Sequence, residues 1–183
     1  MAYGFLIESD IQAKDIDALN KFGVASNFDV DGGDLVQLTP SSTQGNDVYT
    51  ATKPATGSLG GLYMAYNPSA KYLKVEGLEL SGVSADVRHY TNKQGKTFTA
   101  FKVKEGDTIT IPVSAITGGA NAVATDYIEA VNGSTKMTRV AHATGATSGS
   151  TAFEISYVGV QPFQQAGIGM EQVAVVKAVC VQE

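Results

Sequence analysis

The sequence predicts a mainly β protein, an antiparallel β-sandwich or barrel with a short N-terminal helix or arm. Three observations lead there. Short runs rich in β-branched and aromatic residues, among them DVYTAT, GLYMAY, TFTAFKVK, DTITIPV and AFEISYVGV, recur from residue 27 onward. Clusters of Gly, Pro, Ser and Asn separate them, and 20 glycines so placed punctuate turns instead of forming a linker. The strand spacing is regular, as in sandwiches and barrels. A chain of 183 residues buries one core without room for two full domains, so it reads as an N-terminal arm or short helix over 1–26 and a single β-rich domain over 27–183.

Taken in order, Tyr3, Phe5 and Ile7 alternate as a strand does. Ser9 and Gln12 fit a capping box, Ile11, Ile16 and Leu19 fall near helical spacing, and Gly23 supplies a stop, so SDIQAKDIDALNKFG reads as one short helix. Its apolar stripe is thin. Such a helix is marginal alone, and the alternative is an extended arm that orders on a neighbour, with Phe5, Ile7, Ile11 and Ile16 as anchors to a subunit interface. Next comes FDVDGGDLVQLTP at 28–40, echoed by FKVKEGDTITIP at 101–112. Both share F-x-V-x-x-G-D followed by alternating aliphatics. Gly permits the positive φ of a tight turn and Asp can bond nearby backbone amides, so each copy reads as a strand–turn–strand sheet corner. DVYTAT, GLYMAY and KYLKVEG follow as strands between PSSTQGN, KPATGSLGG and YNPSA. In YIEAVNGSTKMTR, Asn132 and Gly133 occupy hairpin-turn positions. Counting outward pairs Glu129 with Lys136, Ile128 with Met137 and Asp126 with Arg139, which places like beside like and charge beside counter-charge. AFEISYVGV and QVAVVKAVCV close the chain as strands.

Net charge is −5 and the basic residues are scattered, which argues against nucleic acid as a partner. Only 17% of residues are charged, so part of the surface is expected to be covered by a partner. No run approaches the roughly eighteen apolar residues of a membrane helix, and the N-terminus lacks the basic start of a secretory signal. The lone Cys180 sits among alternating apolar residues and reads as a buried small side chain.

Chemistry-bearing constellations are thin. Asp29, Asp31 and Asp34 in DVDGGD offer hard oxygens, but Gly33 and Asp34 stand where a calcium loop wants an acid or amide and then glycine, leaving only an irregular metal site to consider. His89 and His142 are the only histidines, each in a strand-like context. GATSG lacks a central serine and GIGMEQ does not complete a dinucleotide fingerprint. No catalytic, cofactor or metal residues are therefore assigned, and the expectation is a protein that is not an enzyme. Tyr63, Tyr66 and Tyr72 beside a Pro/Ser turn are the aromatics that a glycan-binding β-domain would use.

FLIESDIQAKDIDALNKFGVAS, FDVDGGDLVQL, NDVYTATKPATGSLGGLYMAYNPS, FTAFKVKEGDTITIP and EISYVGVQPFQQAGIGMEQVAVVKAVCV together resemble the layout of tailed-bacteriophage virion proteins of similar length. The resemblance runs loosely over most of the chain. It implies a non-enzymatic structural protein of the virion, a head-associated auxiliary or decoration protein that is made in the host cytoplasm and bound to the major capsid protein lattice. Under that resemblance Phe5, Ile7, Ile11 and Ile16 become the expected capsid or subunit contacts. Tail or head-fibre components are the rivals. A homo-oligomer suits such a symmetric setting.

Overall fold

In the computed structural model, residues 4–7, 11–12, 20–41, 48–67, 91–165 and 169–183 are described. They fold into a closed barrel and a second, antiparallel five-stranded sheet that curls as a half-barrel. The barrel holds β1 (Asn20–Ala25), β2 (Leu35–Pro40), β3 (Val48–Thr52), β4 (Tyr63–Ala65) and β5 (Thr97–Lys102) in the order β1-β3-β2-β4-β5. The second sheet holds β6 (Thr108–Pro112), β7 (Tyr127–Glu129), β8 (Thr138–Val140), β9 (Ala152–Gln165) and β10 (Gly169–Gln182) in the order β6-β10-β9-β7-β8. The mainly β expectation holds, with two corrections. The barrel is mixed, because β1 runs parallel to β3. Asn20–Gly23, read as the end of a helix, is strand, and β1 closes the barrel against β5 with Asn20 opposite Phe101 and Val24 opposite Thr97. A boundary at residue 26 therefore places a barrel strand with the arm. The central part of the expected helix, 13–19, lies outside the described residues, and the helices among the described residues are single 3₁₀ turns at 113–115, 119–121 and 142–144.

A barrel of five strands is narrow, and small side chains fill it: Ala25, Ala51, Ala65 and Ala100 surround Val30, Val36 and the one large buried ring, Phe98. Gly23 is part of that fit. A Cβ there would lie 2.8 Å from Phe98 Cζ and 3.0 Å from Leu38 Cδ2. Gly23→Ala is accordingly expected to cost about 1–3 kcal/mol by overpacking, and Phe98→Leu in the same chain to recover part of it, measured by urea unfolding of both variants and the pair.

The larger core lies between barrel and half-barrel. Leu35, Met64, Phe101 and Val103 from one side meet Ile109, Ile111, Ile128, Met137, Phe153, Ile155 and Val176 from the other. Cys180 is buried in it, and burial pushes the thiol up to about 12. The N-terminal segment borders this core along the outer edge of β6. Ile7 N–H donates to Thr110 O at 3.0 Å, while Gln12 and Thr108 exchange both backbone bonds.

One turn recurs three times and organises these parts. In the repeated element, Asp34 N–H donates to Asp31 O while Asp34 Oδ2 accepts from Asp31 N–H, and Asp107 does the same with Lys104. Gly33 and Gly106 precede them at φ +88° and +89°. The turn then grips one residue of another strand: Gly33 N–H donates to Ala65 O and Asp34 O accepts from Ala65 N–H, and Gly106 and Asp107 hold Cys180 in the same way. The flanking strands do not pair with each other, so neither copy is a hairpin. The second copy is a corner in the full sense, passing the chain from β5 in the barrel to β6 in the other sheet. The third copy is Val123–Asp126, gripping Ile155, with Thr125 at φ +78° where the others have glycine. A β-branched residue is strained there. Thr125 is exposed and Thr125→Gly is expected to raise stability by about 1 kcal/mol, read as a higher urea midpoint with an unchanged m-value.

The 126–139 hairpin is present with a changed register. Ser134 N–H donates to Val131 O across Asn132 and Gly133 (φ +75°), but Ile128 pairs with Arg139 and Glu129 with Thr138, two residues along from the expected partners. The extra residues bulge out to the barrel, where Thr135 O accepts from Leu35 N–H.

Candidate functional site

The closest approach to a catalytic grouping lies at the start of β7. Asp126 is buried, and its carboxylate accepts from Arg139 Nε at 2.6 Å and from the backbone N–H groups of Val123 and His142, each at 3.1 Å. Burial pushes this carboxyl upward, but the guanidinium and the two N–H donors outweigh it and hold it below the usual range. His142 stacks on Tyr127 and its Nδ1 lies 3.0 Å from Thr125 O. The carboxylate thus orients the His142 backbone and not its ring, so no base–orienter pair forms between them. Glu129 is likewise occupied, by Thr147 N–H at 2.7 Å and Thr147 Oγ1 at 2.8 Å. Both carboxylates tie loops to β7. His89 lies outside the described residues.

The Asp29 oxygens lie in a network of their own, apart from Asp31 and Asp34, which share one turn. Asp29 is exposed and bonds Lys93 Nζ at 2.7 Å and Gln94 N–H at 3.0 Å, which hold its carboxyl below the usual range. Asp31 accepts from Gly4 N–H, and Asp34 from Asp31 N–H and Thr135 Oγ1. Among the described residues no three His, Cys, Asp or Glu side chains converge as a metal site requires. Tyr63 and Tyr66 are half-buried and pack against the two cores, Tyr66 with its ring 5.1 Å from Phe101; Tyr72 lies outside the described residues.

The surface with the clearest capacity for contact is the β9–β10 ribbon and the N-terminal segment at its base. Each strand is 14 residues long, and they pair from Gln182 opposite Ala152 to Gly169 opposite Gln165. The rest of the sheet supports only the proximal part. β7 pairs with β9 at Ala152–Glu154, and β6 pairs with β10 at Val175–Val179. Beyond that, among the described residues, the ribbon has no third strand on either side. Tyr157 is 50% exposed and Val160 59%, and Pro162 offers no N–H on β9. At the base, a groove of about 570 Å³ runs beside β10, lined by Phe5, Val113, Ile116, Gly119, Val173 and Ala174.

Of the anchors expected from sequence, Phe5 is buried in its own chain at 2% exposure and lines that groove, while Ile7 and Ile11 are half-buried, Ile11 against the larger core. Ile16 lies outside the described residues. Sequence reasoning missed the ribbon as a projecting element. The signal present was two long strand-like runs that flank QQAG, each exceeding the span of any partner strand. No helix among the described residues is long and apolar enough to cross a membrane. Comparison with known protein families, characterised proteins and solved structures yields no match.

Proposed function

We propose that this protein is a non-enzymatic structural protein of a tailed-bacteriophage virion, an auxiliary or decoration protein that binds and stabilises the major capsid protein lattice, in which it acts as a homo-oligomer. The observation that carries the reading is the distal β9–β10 ribbon. A two-stranded ribbon is marginal in water by itself, and strand edges with exposed apolar side chains invite another chain. Val160 lies on that ribbon at 59% exposure, and Tyr157, 50% exposed, stands just before the ribbon leaves the sheet. A repeating lattice supplies a neighbour at every copy. The low charge content supports the same reading, since it leaves surface suited to burial. So does the use of Asp126 and Glu129 as loop ties instead of reactive groups.

The test is a cryo-EM map of intact particles with copy number from quantitative mass spectrometry of the same preparation. Hundreds of copies at regular head positions are expected, with the ribbon against a neighbouring subunit. A few copies confined to the tail or to fibres would move the protein to those structures. Absence from the particle together with glycan-array binding would replace the proposal by a glycan-binding β-domain.

A further inference from the structure

Four parts of the fold meet at two buried carboxylates. Asp31 and Asp34 are 8% and 5% exposed. Asp31 Oδ2 accepts from Gly4 N–H at 3.0 Å, which ties down the N-terminal segment. Asp34 Oδ2 accepts from Thr135 Oγ1 at 2.8 Å, and Leu35 N–H donates to Thr135 O at 2.8 Å, which ties the barrel to the β7–β8 loop of the other sheet. Asp34 O accepts from Ala65 N–H, which ties the turn to β4. The charged groups that face Asp34 are Asp31 from its own turn and Lys136 from the β7–β8 loop. Gly4–Ile7 brings Gly4, Phe5, Leu6 and Ile7, and β4 brings Tyr63, Met64 and Ala65. Lys136 Nζ stands 3.9 Å from Asp31 Oδ2 with its side chain 44% exposed, so one partly solvated cation serves two buried acids.

We propose that this carboxylate pair is a pH-responsive clamp that holds the N-terminal segment and the junction of the two sheets more tightly in mild acid than at neutral pH. Ionising Asp34 places a second negative charge beside Asp31 in a site closed to water. The relief is for Asp31 to turn toward Lys136 and solvent, which breaks its bond from Gly4 N–H and frees the segment that borders the groove. The carboxyl's chemistry supports this: burial, with Asp31 adding to it, raises Asp34 from 3.8 to about 6 against the hydrogen bonds from Asp31 N–H and Thr135. The closed state therefore binds more protons than the open state between those values. Closure is favoured most below the window and is lost as pH rises through about 6, the opening equilibrium growing roughly tenfold from pH 5 to pH 7.

The experiment is amide hydrogen exchange on the full chain at pH 5, 6 and 7, corrected for intrinsic rates, for the native protein and Asp34→Asn. The carboxamide oxygen of that variant can still accept from Asp31 N–H and Thr135. Opening at the Gly4, Leu35 and Ala65 amides is expected to rise about tenfold across the range in the native chain and to stay flat in the variant. The same rise in both proteins would overturn the clamp. Direct ¹³C titration of the Asp34 carboxyl in the native chain decides the matter even if the variant fails to fold: a midpoint near 6 supports it, and one below about 4.5 overturns it.

Discussion

Asp126→Ala is expected to lower the unfolding free energy by about 3–5 kcal/mol, among the largest effects of any single side chain outside the cores. The carboxylate holds Arg139 at 2.6 Å and two backbone N–H groups that begin the Val123 turn and the 3₁₀ turn at His142. Truncation leaves the Arg139 guanidinium, only 26% exposed, without this counter-charge, and leaves both N–H groups without this acceptor. Asp126→Asn, which keeps an oxygen for the N–H donors, should lose less. Arg139→Met leaves the buried Asp126 carboxylate with its two N–H donors but without its counter-charge, so it should lose about as much as Asp126→Asn. Urea unfolding of the three variants checks the order, and equal losses in all three would mean that the ion pair, and not the two N–H bonds, carries the effect. The pH dependence has the opposite sign to that at Asp34. The Asp126 carboxyl is held below 3.8, so its contribution is complete above that value and is lost as pH falls below it.

The second large effect follows from the proposed lattice role. Replacing Tyr157 and Val160 by lysine puts charge on the exposed apolar face of the ribbon while leaving the β6–β10 and β7–β9 ladders in place. Folding stability is expected to change by about 1 kcal/mol or less, since both side chains are half or more exposed. Co-sedimentation with capsids stripped of the protein is expected to fall by at least about tenfold, because these two side chains supply the exposed apolar contact surface. Full retention of binding by the folded double variant would remove the ribbon from the functional proposal and leave the N-terminal segment to account for attachment.

What the sequence disclosed depended on whether local chemistry left a unique mark. The turns at Gly33 and Gly106 were legible because glycine beside aspartate states both the positive φ and the acceptor. The third was not, because Thr125 occupies the glycine position and nothing local announces a strained threonine. The Asp126–Arg139 contact survived a register error of two residues, since a strand repeats its faces every second position. The register itself was set at long range, by Thr135 reaching Leu35 across the two sheets. Glu129 and Lys136, paired on paper, instead hold Thr147 and Asp31. At Gly23 the glycine was read as a helix stop when its role is to leave room for Phe98, a contact 75 residues away in the chain. The candidate interface was legible as composition, in the scarcity of charge, but its location was not, because a projecting ribbon is defined by where its partner strands stop.

The way the barrel closes also dictates when it can form. Asn20 finds its partner at Phe101, and β6 is flanked by Gln12 on one side and β10 on the other. Neither sheet is completed by neighbours in sequence, so the chain must close long loops before most of its contacts repay their entropy. On a ribosome, β1 can pair with β3 once residue 51 has followed, but the barrel waits for β5 to close and the second sheet waits for β10. Folding is thus expected on the millisecond-to-second scale of non-local β proteins, with the early strands exposed to other nascent chains in the meantime. Under the proposed lattice role many copies are needed at once, and that interval would then set how far synthesis can outrun assembly.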